Sequence, residues 1–335
     1  MKVRPTHGLA ALVAIALAAI PRPAAAQSTG ISASGIPKSL ELLATENARR
    51  YLRPVTVGLG SALNSRWFRS ARVHAPIQFD VGIVVMGSLV PSGDDAFQPI
   101  LPDSLVYGGQ VYRQPFGSGA GLSTPTATGQ GAGVRVEPQG DFRQALLTSG
   151  VDPASESLAF PDGYDVPAVP MALFQLRVGL PFASEVTLRG LPSIEMDRDI
   201  GHVKAFGLGL RHEFSHWLPE AFPLDLAVEG GIQTVDVEDY FSATARNASL
   251  IASRQFSVLT LFAAGAVENA DVSIDYTVNN PNLPENQTTL TVDDRVDTRG
   301  RFTAGFGLDL FILKLTAAYS SAAYDVVSAG ISFGF

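Results

Sequence analysis

From Ile77 to Phe335 most of the chain alternates apolar and polar residues with a period of two, the pattern of strands with one greasy face. Ile77–Val90 sets Ile77, Phe79, Val81, Ile83, Val85, Gly87 and Leu89 against Gln78, Asp80 and Gly82. Ala172–Leu180 sets Ala172, Phe174, Leu176, Val178 and Leu180 against Gln175 and Arg177. After Pro181-Phe182-Ala183, Val186 and Leu188 oppose Glu185, Thr187 and Arg189. His202–Phe214 places Phe206, Leu208, Leu210 and Phe214 on one side, with Gly207, Gly209, Arg211 and Glu213 on the other. Leu224–Thr234 opposes Leu224, Leu226, Val228 and Ile232 to Asp225, Glu229 and Gln233. Longer strands follow near Ser242–Ser253, Ser257–Val278 and Thr288–Phe311, the last with Phe302, Ala304, Phe306, Leu308 and Leu310 outward. Leu313–Tyr319 and Val326–Phe335 form a final hairpin, which maps ten strands in all.

Three segments stand outside this rhythm. Ile36–Leu52 carries apolar residues at three-and-four spacing, with Pro37 at its opening and Pro54 beyond its end, and is expected to be a short helix. Val55–Phe68 reads either as a strand or as a plug folded into a barrel mouth, the plug being favoured, and Tyr51, Asn64 and Trp67 mark the helix and plug-like segment over residues 27–72. Pro91–Pro170, about eighty residues rich in Gly, Pro, Ser and Thr, is longer than loops usually run without structure of their own. A hidden hairpin of Leu105–Tyr112 with Val134–Leu147 would raise the count, so ten to fourteen strands are expected, with twelve favoured.

The apolar parity runs nearly unbroken for five or six positions per strand, while the other parity mixes Gly and Ala with ionic residues. A tilted strand crossing an apolar band of about 25 Å needs such a run. Strands can satisfy their backbone there only by closing into a barrel. A soluble sandwich would also alternate, with its outward face charged. Short turns near Pro181, Pro219, Arg254 and Ile312 alternate with longer polar ones near Asp199, Tyr240 and Asn280–Asn286, as periplasmic turns and outer loops do. The fold class expected is therefore all-β, a transmembrane antiparallel β-barrel behind a short N-terminal helix and plug.

Lys2 and Arg4, the apolar run Leu9–Ile20 and Ala24-Ala25-Ala26 before Gln27 read as a secretory signal cleaved near Ala26. Its loss removes three positive charges from a chain already at −8, and that acidity argues against nucleic acid. The absence of Cys excludes disulfides, thiolate metal sites and a Cys nucleophile.

The final V-S-A-G-I-S-F-G-F resembles the closing strand of bacterial outer-membrane barrels, whose terminal aromatic, here Phe333 and Phe335, is read by the barrel-assembly machinery. Y-L-R-P at Tyr51–Pro54, G-L-G-S-A-L-N-S-R-W at Gly58–Trp67, V-P-M-A-L-F-Q-L-R-V-G-L-P at Val169–Pro181, L-R-G-L-P at Leu188–Pro192 and G-L-G-L-R-H-E-F-S-H-W-L-P at Gly207–Pro219 resemble an uncharacterised family of such barrels. More loosely, a plug before a barrel is similar to long-chain fatty-acid transporters. Their Asn-Pro-Ala element is absent, since Asn64 is followed by Ser65 and Arg66. The resemblance implies an outer-membrane location, with membrane lipids and lipopolysaccharide as surroundings.

The candidate functional surface is the inward set Asp80, Gln175, Arg177, Glu185, Arg189, Arg211, Glu213, Asp225, Glu229, Gln233, Arg301, Asp309 and Lys314. A selective pore concentrates one sign of charge. This set mixes six acids with five bases, which suits a salt-bridged filling at least as well as a solute path. His212–His216 spells H-E-F-S-H, the zinc-protease pattern, yet on a strand Glu213 faces away from His212. It is read as structural, so no catalytic or metal-binding residue and no cofactor is expected. Acidic loops around Asp94, Asp236 and Asp293 are read as solvated charge. The expected role is passage or binding of a small hydrophobic or amphipathic solute. The rivals are a non-transporting surface-interaction barrel and an outer-membrane hydrolase.

Overall fold

The alternating segments become the staves of one closed antiparallel wall. A computed structural model describes residues 38–197, 201–219, 222–238, 240–279 and 287–334. The signal segment, the turn at Asp199, the whole Asn280–Asn286 loop and Phe335 lie outside the described residues. The strands are β1 (Phe79–Leu89), β2 (Ala168–Leu180), β3 (Ser184–Asp197), β4 (Gly201–Glu213) and β5 (Asp225–Val237). They continue with β6 (Phe241–Phe256), β7 (Leu259–Asn279), β8 (Gln287–Leu310), β9 (Leu313–Ser321) and β10 (Val326–Gly334). Each pairs with its neighbours in sequence, and β1 closes the ring on β10 with Ile83 opposite Ile331.

Ten staves form the wall, not the favoured twelve. The expected hairpin between Leu105–Tyr112 and Val134–Leu147 does not form. Leu105 instead pairs with Tyr112 inside its own hairpin, Ser104–Tyr107 with Gln110–Arg113, and Gly140–Thr148 is a helix. Leu101, Leu105, Phe116, Val136, Phe142 and Leu146 give this insertion a small core of its own. Sequestering those residues leaves nothing to add to the wall.

Parity follows the sequence in most staves. Phe174, Phe206, Leu208, Leu210, Val228, Ile232, Leu250 and Phe302 stand outward and exposed, with their neighbours buried inside. In β8 the alternation slips. Glu268 of β7 pairs with Arg299 and Ala270 with Val296, so two residues of β8 bulge opposite one. Val292, Asp294 and Val296 face inward above the bulge, Arg301 and Thr303 below it. In β7 the apolar residues Phe262, Val272 and Ile274 turn to the lumen, where they meet the plug.

The helix α1 runs Lys38–Leu63, eleven residues past the expected end. Pro54 lies inside it, at a cost of about 3 kcal/mol for a lost hydrogen bond and a clash. Burying Val55, Leu59 and Leu63 returns about 1.5–3 kcal/mol each, so the helix continues. From Tyr51 to Leu63 only Arg53 is exposed, as in a helix enclosed on all sides. Gly58 and Gly60 let it lie against the wall, because a Cβ at either would come within 2.7 Å of Val169 or Ala270.

Candidate functional site

The lumen has two storeys. Around α1 it is mostly apolar: Val84, Met86, Val169, Leu191, Val203, Val235, Phe241 and Val272 share one buried cluster with Val55 and Leu59. This storey corrects the expectation of a polar inward face, and it exists because a buried helix needs an apolar sleeve. Asn47 pairs both ways with the backbone of Ile100, and the Tyr51 hydroxyl donates to the Asp162 carbonyl at 2.7 Å. These bonds dock the upper end of α1 on the insertion. Tyr324, in the turn between β9 and β10, donates its hydroxyl to Asp94 and its backbone N–H to Ser61. Burial pushes both phenols well above the ordinary tyrosine range, with Asp94 adding to the effect at Tyr324.

Below Leu63 the chain leaves the helix and descends to Gln78 through an ionic storey. Asn64 donates to the Asn269 carbonyl at 3.0 Å, and its own carbonyl accepts from Asn247 at 3.1 Å. Trp67, 1% exposed, lies on a floor of Gly207, Gly209 and Gly231 from adjacent strands. Arg189 covers the ring at 4.4 Å. Arg66 turns back at φ 64° and donates to the Phe68 carbonyl.

Arg69 bridges Asp80 at 3.4 Å and Asp309 at 2.8 Å, and Lys314 stands 3.9 Å from Asp309. Arg72 holds Asp225 at 2.8 Å. His74 Nδ1 lies 2.6 Å from Glu185, which also takes the Arg211 guanidinium. Arg177 reaches Asp80 at 3.3 Å and faces the Gln175 amide oxygen. Glu213 accepts the Val73 N–H at 3.1 Å. Glu229 sits 3.9 Å from Arg211, Gln233 donates to the Thr234 carbonyl, and Arg301 clamps Glu268.

The structure thus links Asp80, Arg177, Glu185, Arg211, Glu229, Asp309 and Lys314 through Arg69 and His74. Asp225 and Glu213 hold the plug separately, Gln233 bonds its own strand, Arg189 covers Trp67, and Arg301 pairs with Glu268 higher up beside α1. The plug supplies the other half through Arg69, Arg72 and His74, with Arg66 beside them, residues that strand alternation does not single out. Their signal was present as S-R-W-F-R-S-A-R-V-H, basic residues every third position in an acidic chain. Glu268 escaped notice because it lies beside the bulge.

Paired charges of both signs present no uniform field to a passing ion. The gap beside Arg66, Asp80, Gln175 and Arg177 measures about 10 Å³, room for about one water molecule. On β4, His212 faces outward, 3.1 Å from Ser184 Oγ and against Trp217, while Glu213 turns to the plug. The base and this first ligand of the H-E-F-S-H pattern therefore stand on opposite faces. A larger cleft of about 350 Å³ opens on the outer face where β2 and β3 separate.

The model of the family of unknown function DUF6588 matches residues 4–335, so the chain belongs to that family. No curated protein matches it.

Proposed function

We propose that this DUF6588 member is a bacterial outer-membrane barrel, closed along its axis by its own N-terminal segment, that binds a small hydrophobic or amphipathic solute. One observation carries the membrane reading. Large apolar side chains stand exposed around the wall, among them Phe174, Phe206, Leu210, Val228, Leu250, Val267, Phe302 and Ile331. Soluble monomers rarely expose patches beyond a few hundred Å². The rim where β1 begins and β10 ends carries Phe182, Trp217, Phe256, Phe311 and Phe333, all exposed, as an interfacial aromatic girdle would. Lipid and lipopolysaccharide are then the solvent of the wall, and β10 is the strand offered to the assembly machinery.

The filled lumen favours a second reading, a non-transporting barrel that presents the 91–167 insertion as a contact surface. Reconstitution separates the two. In planar bilayers the intact protein is expected to pass no steady current, and removal of residues 36–68 to open conductance. A protein that stays monomeric in water without detergent overturns the membrane reading. Vesicles loaded with a labelled amphiphile that show no uptake by the intact chain overturn transport and leave the surface role.

A further inference from the structure

Splitting the H-E-F-S-H run between two faces leaves His212 on the outer face of the wall, beside a serine. His212 of β4 and Ser184 of β3 are register partners, and Ser184 Oγ lies 3.1 Å from His212 Nδ1. The same hydroxyl lies 3.2 Å from the Phe182 carbonyl, so its one proton has two acceptors within reach. Trp217 packs on the imidazole with ring centroids 5.6 Å apart and limits its rotation. Phe182 and Ala183, at φ 62° and 50°, form the turn that delivers Ser184, and non-glycine residues held in this left-handed region gather at functional sites. Neither N–H of these two residues meets a carbonyl among the described residues, which leaves the turn two donors for an anionic oxygen.

The pair stands at the depth of a lipid ester. Phe182 is 90% exposed and Trp217 70%, and the two rings flank the pair at the aromatic rim. Such rings settle at the boundary between head groups and hydrocarbon, where the ester bonds of a phospholipid lie. From Ser184 and His212 the outward rungs continue with Val186 opposite Leu210 and Leu188 opposite Leu208. Leu188, Leu208 and Leu210 are exposed, so an acyl chain whose carbonyl lies at Ser184 has an apolar track along the wall. The adjoining inward rung, Glu185 opposite Arg211, is ion-paired and holds the two strands in place under the pair.

We propose that Ser184 and His212 are a lipid-facing hydrolytic pair that cleaves acyl esters of phospholipids in the leaflet at the aromatic rim. The proposal rests on the membrane reading above and needs no passage through the filled lumen. Ser184 Oγ attacks the ester carbonyl carbon, and its proton passes to His212 Nδ1. That transfer requires the tautomer with its hydrogen on Nε2. The ester C–O bond then breaks, and the same proton leaves on the lysolipid oxygen. Water next gives a proton to His212 Nδ1 and its oxygen to the acyl carbon. The acyl–Ser184 bond breaks, Ser184 Oγ takes the proton back, and a fatty acid departs.

The test places the full chain in phosphatidylcholine vesicles and scores insertion by quenching of its tryptophan emission with brominated lipid. Dodecyl fluorophosphonate is expected to bond to Ser184, and fatty acid to be released from the vesicles. Ser184→Ala should abolish both with insertion unchanged. His212→Phe should slow both by about a hundredfold or more, the usual worth of a general base. A second readout does not depend on turnover. Ser184→Cys should be alkylated by dodecyl iodoacetamide faster than Ser257→Cys in another turn of the same rim, and should lose that lead when His212→Phe is added. An inserted parent that takes no label and releases no fatty acid overturns the proposal, as does labelling that survives Ser184→Ala or equal alkylation of the two cysteines. Failure of the parent to insert overturns the membrane reading instead.

Discussion

Arg301 joins the wall and the plug through one guanidinium. Its Nε lies 2.6 Å from Glu268 Oε2, and its Nη2 donates both to Glu268 Oε1 at 3.2 Å and to the Ser61 carbonyl of α1 at 2.6 Å. Arg301 and Glu268 are 5% and 3% exposed, so removing one partner leaves the other buried and charged. Arg301→Ala is expected to cost about 3–5 kcal/mol in urea unfolding. Replacing the pair together, Arg301→Met with Glu268→Leu, should recover most of that loss. If the double variant is as unstable as the single one, the bond to Ser61 rather than the ion pair is what holds the plug.

Much of this architecture was legible because strand alternation is a local signal. Phe206, Leu208 and Leu210 declare their face without reference to any other residue. The closing strand Val326–Gly334 does the same. The plug was less legible, because its stability comes from partners far away in sequence. Pro54 is a strong local stop, and only the sleeve of Val84, Val235 and Val272 outweighs it. The insertion misled for the same reason: Arg135–Val136 pairs with Leu158–Ala159 rather than with Leu105–Tyr112, and Phe142 and Leu146 find their own core. The acids Asp80, Glu185, Asp225 and Asp309 sit on regular strands, yet their partners Arg69, Arg72 and His74 lie in an irregular segment that periodicity does not describe.

The floor under Trp67 should tolerate no methyl group. A Cβ at Gly209 would stand 2.9 Å from the indole, and one at Gly231 3.1 Å. Gly209→Ala is expected to destabilise by about 1–3 kcal/mol through overpacking and to shift Trp67 emission to the red in a Trp217→Phe background. Gly265→Ala is the control, since its Cβ would meet nothing within 4 Å. An unshifted spectrum for Gly209→Ala would mean that the ring does not rest where the glycines are.

The upper clasp is expected to be sensitive to alkali. Tyr51 and Tyr324 are both held neutral above their ordinary pKa, by burial and, at Tyr324, by Asp94. A released plug would ionise these phenols at about pH 10, and the docked one would not. Their contribution is therefore complete below about pH 10 and is lost as pH climbs beyond it. Acrylamide quenching of Trp67 should stay flat from neutral pH to that point and then rise. In a protein with Tyr51→Phe and Tyr324→Phe that rise should vanish; if it persists unchanged, the loosening originates elsewhere.

The direction of the plug makes the last prediction. β1 starts and β10 ends at the aromatic rim, where Arg72 and His74 meet Asp225 and Glu185. The upper part of α1 lies at the other rim, against Ile100, Asp162 and the backbone of Ala127. The chain therefore descends the whole lumen before the first stave rises. Short turns mark the periplasmic side of such barrels, and Phe182, Ser257 and Phe311 sit in the short turns of the aromatic rim. Glu46 on α1 and Glu137 on the insertion should consequently face the cell exterior. With no native Cys to interfere, Glu46→Cys and Glu137→Cys are expected to react with an impermeant maleimide on intact cells, and Ser257→Cys only after permeabilisation. The opposite labelling would show that the plug enters from the periplasm and that the insertion hangs below the membrane.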